Sequence, residues 1–202
     1  MEGVTPATLH AKLRGAVEAI DLPEGYSLMW GGEYEKQKKA NIAVFAFVPL
    51  GLLVMVILTV LLFSSAKQTL VVWITVPLSI IGVTIGLLST DSPFSFMALL
   101  ALLSLIGMQL KNGIVLVEEI KRLKVELNQE WQDAITDAAI SRLRPVTMAA
   151  ITTILGMLPL LSDVFFQPMA VTIMFGLGFA TLLTLIVIPV LFGLFYRVSY
   201  DV

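Results

Sequence analysis

Charge-free runs of bilayer-crossing length constrain this chain more than any other feature. They cover residues 40–66, 68–90, 92–110 (continuing past Lys111 to 117), 145–162 and 164–196. A helix needs about 20 predominantly apolar residues to cross a hydrocarbon core about 30 Å thick. The runs therefore predict five transmembrane helices, over 40–66, 68–90, 93–120, 143–162 and 166–196. Pro49, Pro77 and Pro189 lie inside spans and should kink them, which membrane helices tolerate when neighbours satisfy the freed carbonyls. Only 14% of the 202 residues are charged, against about 25% in an ordinary soluble domain. The expected fold class is an all-α membrane protein preceded by a small helix and strand.

That small segment is residues 1–39. Leu9, Leu13, Ala16, Val17 and Ile20 recur at helical spacing, with Thr5 placed as an N-cap and Pro6 at the first helical position. Pro23-Glu24-Gly25 marks a turn, and Tyr26, Leu28 and Trp30 alternate as on a strand. One helix and one strand cannot enclose a core, so this segment is expected to be the end of a larger domain. The first twenty residues hold no apolar run of signal-peptide type. Between the third and fourth spans, Trp131, Ile135, Ala138, Ala139 and Leu143 share a face. This predicts a separate amphipathic helix over 129–142, lying in the membrane interface.

Charge distribution orients the spans. One side collects Lys67, Lys121, Arg122, Lys124, Arg142, Arg144 and Arg197, whereas the loops around Asp91 and Asp163 on the other carry no basic residue. By the positive-inside rule the C-terminus is cytoplasmic and the N-terminal segment external, against the local pull of Lys36, Lys38 and Lys39. A net charge of −2 points to no nucleic-acid partner, and with no cysteine there are neither disulfides nor thiolate metal sites. His10 reads as a surface residue, Asp91 and Asp163 are loop residues, and no P-loop is present. No catalytic, cofactor or metal site is expected: this is a membrane protein and not an enzyme.

Lys111 is the one charge deep within a span. A lysine at a helix centre costs about 2.5 to 3.5 kcal/mol on insertion scales and is a functional candidate by default. It also sits only about 9 Å of helix rise from the charged end of its span, close enough to snorkel. Ser104, Gly107, Lys111 and Glu118 form one stripe, with Asn112 beside it. A polar stripe belongs inside a bundle, so it is expected to face the fourth span or a groove, where Ala149, Thr152, Thr153 and Gly156 offer a small, polar face. The faces Thr75, Ser79, Gly82, Gly86 and Thr172, Gly176, Ala180 are expected to serve helix packing.

Several runs carry a resemblance: Pro23-Glu24-Gly25-Tyr26 with Trp30-Gly31-Gly32-Glu33-Tyr34-Glu35, Ile106-Gly107 with Lys111-Asn112-Gly113-Ile114-Val115-Leu116-Val117-Glu118, and Arg142-Leu143-Arg144-Pro145-Val146-Thr147-Met148 leading to Thr152-Thr153-Ile154-Leu155-Gly156. In this order the chain resembles the end of resistance-nodulation-division efflux transporters. The resemblance implies that residues 1–39 end a periplasmic porter subdomain and that the spans are helices eight to twelve of a twelve-helix protomer in the bacterial inner membrane. The Lys111-Asn112 pair is similar to the hydrophobe and amphiphile (multidrug) branch; heavy-metal branches commonly lack that lysine. The family's lysine pairs with two aspartates on its fourth helix, and their protonation drives the conformational cycle. The resemblance thus makes Lys111, Asn112 and Arg142 proton-relay residues, powered by the proton-motive force without a cofactor. Implied partners are the rest of the protomer, its homotrimer mates, a periplasmic adaptor, an outer-membrane channel and lipid.

Ala149 departs from the family pattern, which usually has a threonine there; Thr147, Thr152 or Thr153 are the candidate replacement hydroxyls. The aspartate pair lies outside this sequence, so the chain is expected to be incomplete for transport alone. Two other readings remain at this point. One is a non-transporting membrane module or remnant in which Lys111 snorkels; the other is a lipid or protein export relative of the same superfamily.

Overall fold

The structure is a computed structural model and describes residues 6–23 and 25–198. It divides into two units, Met1–Val54 and Met55–Val202. Its helices are α1 (Pro6–Glu18), α2 (Glu33–Phe63), α3 (Ala66–Ser89), α4 (Phe96–Val125), α5 (Trp131–Met157, extended by a 3-10 turn Leu158–Ser162) and α6 (Gln167–Phe195). Among the described residues, five helical segments are long and apolar enough to cross a membrane: Lys38–Phe63, Ala66–Ser89, Phe96–Val125, Trp131–Ser162 and Gln167–Phe195.

In the first unit α1 begins at Pro6, as expected; Thr5 and Glu24 lie outside the described residues. The expected strand does not form, and the described residues contain no strand at all. Residues 26–30 have no second strand to pair with, so the chain follows a turn closed by Tyr26 N–H donating to the Pro23 carbonyl at 3.2 Å. Trp30 instead comes back onto α1. Its indole N–H donates to Glu18 Oε1 at 3.3 Å, and its ring meets the edge of His10 with centroids 4.4 Å apart. Leu9, Leu13 and Ile20 stay exposed, so the apolar face of α1 encloses no core of its own.

In the second unit α6 packs against α3, α4 and α5. Its buried face includes Thr172, Gly176 and Ala180; Gly176 meets Val83 of α3 and Leu105 of α4, while Phe175 and Phe179 of α6 seat on buried Gly86 and Gly82 of α3. Thr75 and Ser79 of α3 are fully buried and bond their own helix's carbonyls, so both small-residue faces pack as expected. A Cβ on Gly113 would stand 2.7 Å from Val72 Cγ1 and 3.2 Å from Ile188 Cδ1, which shows how closely α3 and α6 approach α4 there. One apolar cluster joins Phe63, Val72, Leu116, Ile120, Ile188 and Phe192; a second joins Val83, Leu105, Ala150, Val171 and Leu177.

α5 corrects a boundary. The expected interfacial helix over 129–142 and the span over 143–162 are one continuous helix from Trp131 to Met157. Pro145 removes a single backbone donor, and the preceding turn is anchored to α4 by an Arg142–Glu119 ion pair, so the helix passes through. Much of the apolar face of its first half packs against this chain's own helices, although Leu143 stays exposed. Ala134, Ile135 and Ala138 are buried in the first cluster, and Trp131 lies against Phe192 and Tyr196.

Candidate functional site

The charged groups of α4 separate by helix face. Leu105, Gln109, Gly113, Leu116, Val117 and Ile120 are buried on one side. Ser104, Lys111 and Glu118 are exposed on another, and Gly107 is half-buried, with only Met55 Cε near the place a Cβ would take, at 3.8 Å. Lys111, expected to face the fourth span or a groove, therefore lies on an exposed stripe of α4. Among the described residues no hydrogen bond or ion pair engages its ammonium. The physical reason is that the face of α4 packed on α3 and α6 is filled by small and apolar side chains. The polar stripe, rotated away from it, is left uncovered by this chain. Asn112 beside it is half-buried.

Arg142 is brought to a different partner. Its Nη2 lies 2.5 Å from Glu119 Oε2, while Arg122 Nη2 lies 2.5 Å from Glu119 Oε1. The glutamate side chain is only 7% exposed, the two arginines 34% and 50%. Each carboxylate oxygen thus has a charged donor, one from the same helix and one from α5, the short charge-assisted geometry that makes strong hydrogen bonds. Arg142 Nε is buried without a partner. Thr147, Thr152 and Thr153 donate to the carbonyls of Leu143, Met148 and Ala149 in their own helix, at 2.6, 2.8 and 2.9 Å, and none reaches Lys111. Thr152 and Ala149 are exposed, like Lys111.

Sequence reasoning missed two groups. Glu119 adjoins Glu118 of the stripe, but one residue turns it by about 100°, to the side where α5 crosses. Three positions before Arg122, it carried a sign that an ion pair was available. Gln109 is fully buried and donates to the Thr75 carbonyl of α3 at 2.7 Å. It was legible only as a polar residue inside a span.

The end of the bundle where α4 and α6 finish and α3 and α5 begin also carries aromatic and basic groups. Tyr196 stacks on Phe192 with centroids 4.4 Å apart, and its hydroxyl accepts from Gln68 Nε2 of α3 at 3.0 Å. α6 ends in a left-handed cap. Val198 N–H donates to the Gly193 carbonyl at 3.0 Å and Arg197 N–H to that of Leu194 at 3.2 Å, with Arg197 at φ 49°. Glycine is usual at that position, and an L-residue there costs roughly 1 kcal/mol.

The profile of the AcrB/AcrD/AcrF family matches residues 2–196. The cobalt-zinc-cadmium resistance protein CzcA of Cupriavidus metallidurans is 31% identical over 188 residues, 90% of this chain and 18% of that protein. The multidrug resistance protein MdtC of an Enterobacter strain is 34% identical over 142 residues, 68% of this chain and 14% of that protein. A crystal structure of a heavy metal efflux pump superposes with a TM-score of 0.71 over 97% of this chain and 20% of that one; at 24% identity the likeness is one of fold. The chain spans about a fifth of the length of these relatives.

Proposed function

Because the chain belongs to the AcrB/AcrD/AcrF family of resistance-nodulation-division efflux transporters, we propose that it forms the C-terminal membrane part of a proton-coupled pump and carries the lysine side of the proton relay. The observation that carries this reading is Lys111, a cation inside a membrane-length helix, exposed on the uncovered face of α4 and without a partner among the described residues. A carboxylate pair on a helix outside this sequence would complete it. A buried ammonium favours the charged form of nearby carboxylates; a proton bound there removes the attraction and lets the helices shift. Arg142, tied to Glu119, would sit at the end of the same pathway, with Asn112 beside the lysine and Thr147, Thr152 or Thr153 as exchangeable hydroxyls.

The orientation follows from charge: N-terminus periplasmic, C-terminus cytoplasmic, in the inner membrane. A homotrimer with a periplasmic adaptor and an outer-membrane channel is the assembly this reading entails. For the substrate, the Lys111-Asn112 pair favours amphiphilic drugs. A second reading, heavy-metal cations, is favoured by the cobalt-zinc-cadmium and nickel-cobalt-cadmium resistance relatives, which align over 90% and 88% of this chain.

Both readings are tested in the full-length pump with the remaining helices present. Lys111→Ala should abolish efflux while leaving membrane expression unchanged, and retained efflux would sink the relay. The same cells, challenged in parallel with a fluorescent dye and with cobalt, zinc or cadmium, assign the substrate: protection from metal alone would overturn the amphiphile reading.

A further inference from the structure

A cavity of about 630 Å³ opens where α3 begins and α6 ends, lined by Lys67, Leu194, Phe195, Tyr196 and Arg197. Its two cations come from different helices, and both are exposed with no ion pair among the described residues. They lie at the ends of two helices long and apolar enough to cross a membrane, Ala66–Ser89 and Gln167–Phe195. The remaining lining is mixed: Leu194 is 71% exposed and apolar, whereas Tyr196 offers a hydroxyl.

We infer that this cavity binds the phosphate headgroup of an anionic phospholipid, with Lys67 and Arg197 on the phosphate, Tyr196 as a hydroxyl donor, and Leu194 and Phe195 against the upper acyl chain. Three features go beyond a basic loop at a membrane surface. The tyrosine is immobilised by its stack on Phe192 and by Gln68, which uses the hydroxyl as an acceptor and leaves its proton to donate. Arg197 holds the left-handed cap position where glycine is the unstrained choice, so the chain places a cation there at a conformational cost. The first-turn N–H groups of α3, beside Lys67, receive no side-chain cap from Ser65 and add positive potential at the same place. By contrast, nearby Lys121 and Lys124 are already engaged, on the carbonyls of Phe63 and Gln129. Basic pockets between membrane helices are general headgroup sites, and each such side chain contributes measurably to binding anionic lipid.

The test is native mass spectrometry of the full-length protein titrated with phosphatidylglycerol, phosphatidylcholine and inorganic phosphate. Wild type should retain phosphatidylglycerol in preference to phosphatidylcholine. Lys67→Ala with Arg197→Ala should weaken retention roughly thirtyfold, with the melting temperature in detergent nearly unchanged because both side chains are exposed. The charge-conserving pair Lys67→Arg with Arg197→Lys should keep most of the binding, and Tyr196→Phe, which preserves the stack, should lose a few-fold. Equal retention by wild type and the double alanine variant, or no preference over phosphatidylcholine, would overturn the site. Displacement of the lipid by millimolar inorganic phosphate would reassign it to a soluble anion and overturn the lipid assignment.

Discussion

Replacing Glu119 with glutamine tests how α4 and α5 are joined. The carboxylate, 7% exposed, is divided between Arg122 on its own helix and Arg142 on α5, each at 2.5 Å. Arg122 is 50% exposed and three residues away, an arrangement generally worth about 0.3–0.5 kcal/mol. Arg142 is 34% exposed and its bond crosses between helices. A hydrogen bond to a charged group contributes about 1.5–3 kcal/mol when buried, and partial exposure of the guanidinium reduces this to about 1–2 kcal/mol. Removing a partner from a fully buried pair costs about 3–5 kcal/mol, an upper limit not reached here because both arginines can turn to water. Double-mutant cycles in detergent-solubilised protein, pairing Glu119→Gln with Arg142→Gln and with Arg122→Gln, separate the two bonds. The coupling should be about 1–2 kcal/mol for Arg142 and below about 0.5 kcal/mol for Arg122. No coupling to Arg142, or a larger one to Arg122, would refute the argument that Glu119 ties α5 to α4.

Gly82→Ala should destabilise by about 1–3 kcal/mol, because the added methyl meets the Phe179 Cβ; Gly156→Ala, with nothing within 4 Å, should be neutral or stabilising by up to about 1 kcal/mol. Thermal melts of the two variants in one detergent check the contrast. Gln109→Leu should change stability by less than about 1.5 kcal/mol, since the bond to Thr75 is lost while the partnerless Oε1 is removed with it. Gln109→Ala should cost more by leaving a cavity, and the same melts rank the pair. In α1, hydrogen bonding from Arg14, with a further bond from Trp30, holds the Glu18 carboxyl below the ordinary carboxylate range. A depressed folded pKa means that its contribution is present above the unfolded value and is lost as pH falls through the folded one. The Trp30 indole N–H resonance should therefore shift as pH falls below the ordinary carboxylate range. Glu18→Gln should abolish that titration; an unchanged curve would detach Trp30 from Glu18.

The sequence by itself determined the spans, because their signal is local: an uncharged run either reaches across a bilayer or does not. The same holds for the small faces of α3 and α6, where Gly82, Gly86 and Gly176 sit at helical spacing and pack at the seams. The family was legible from ordered motifs such as Lys111-Asn112-Gly113 and Arg142-Leu143-Arg144-Pro145. Only the tertiary structure decided matters that depend on which face meets which neighbour. Glu118 and Glu119 are adjacent and equal in chemistry, yet one is exposed and the other grips two arginines, because one residue of helix is about 100° of rotation. The sequence suggests a break between 142 and 143, but the Arg142–Glu119 pair and the burial of Ala134, Ile135 and Ala138 accompany a single α5 that runs through it and past Pro145. Tyr26 to Trp30 has strand-like alternation with no strand to pair with, so Trp30 goes to α1 instead. Lys111 marks where the determination by this sequence stops: its position inside a span is a local fact, while among the described residues no carboxylate pairs with it.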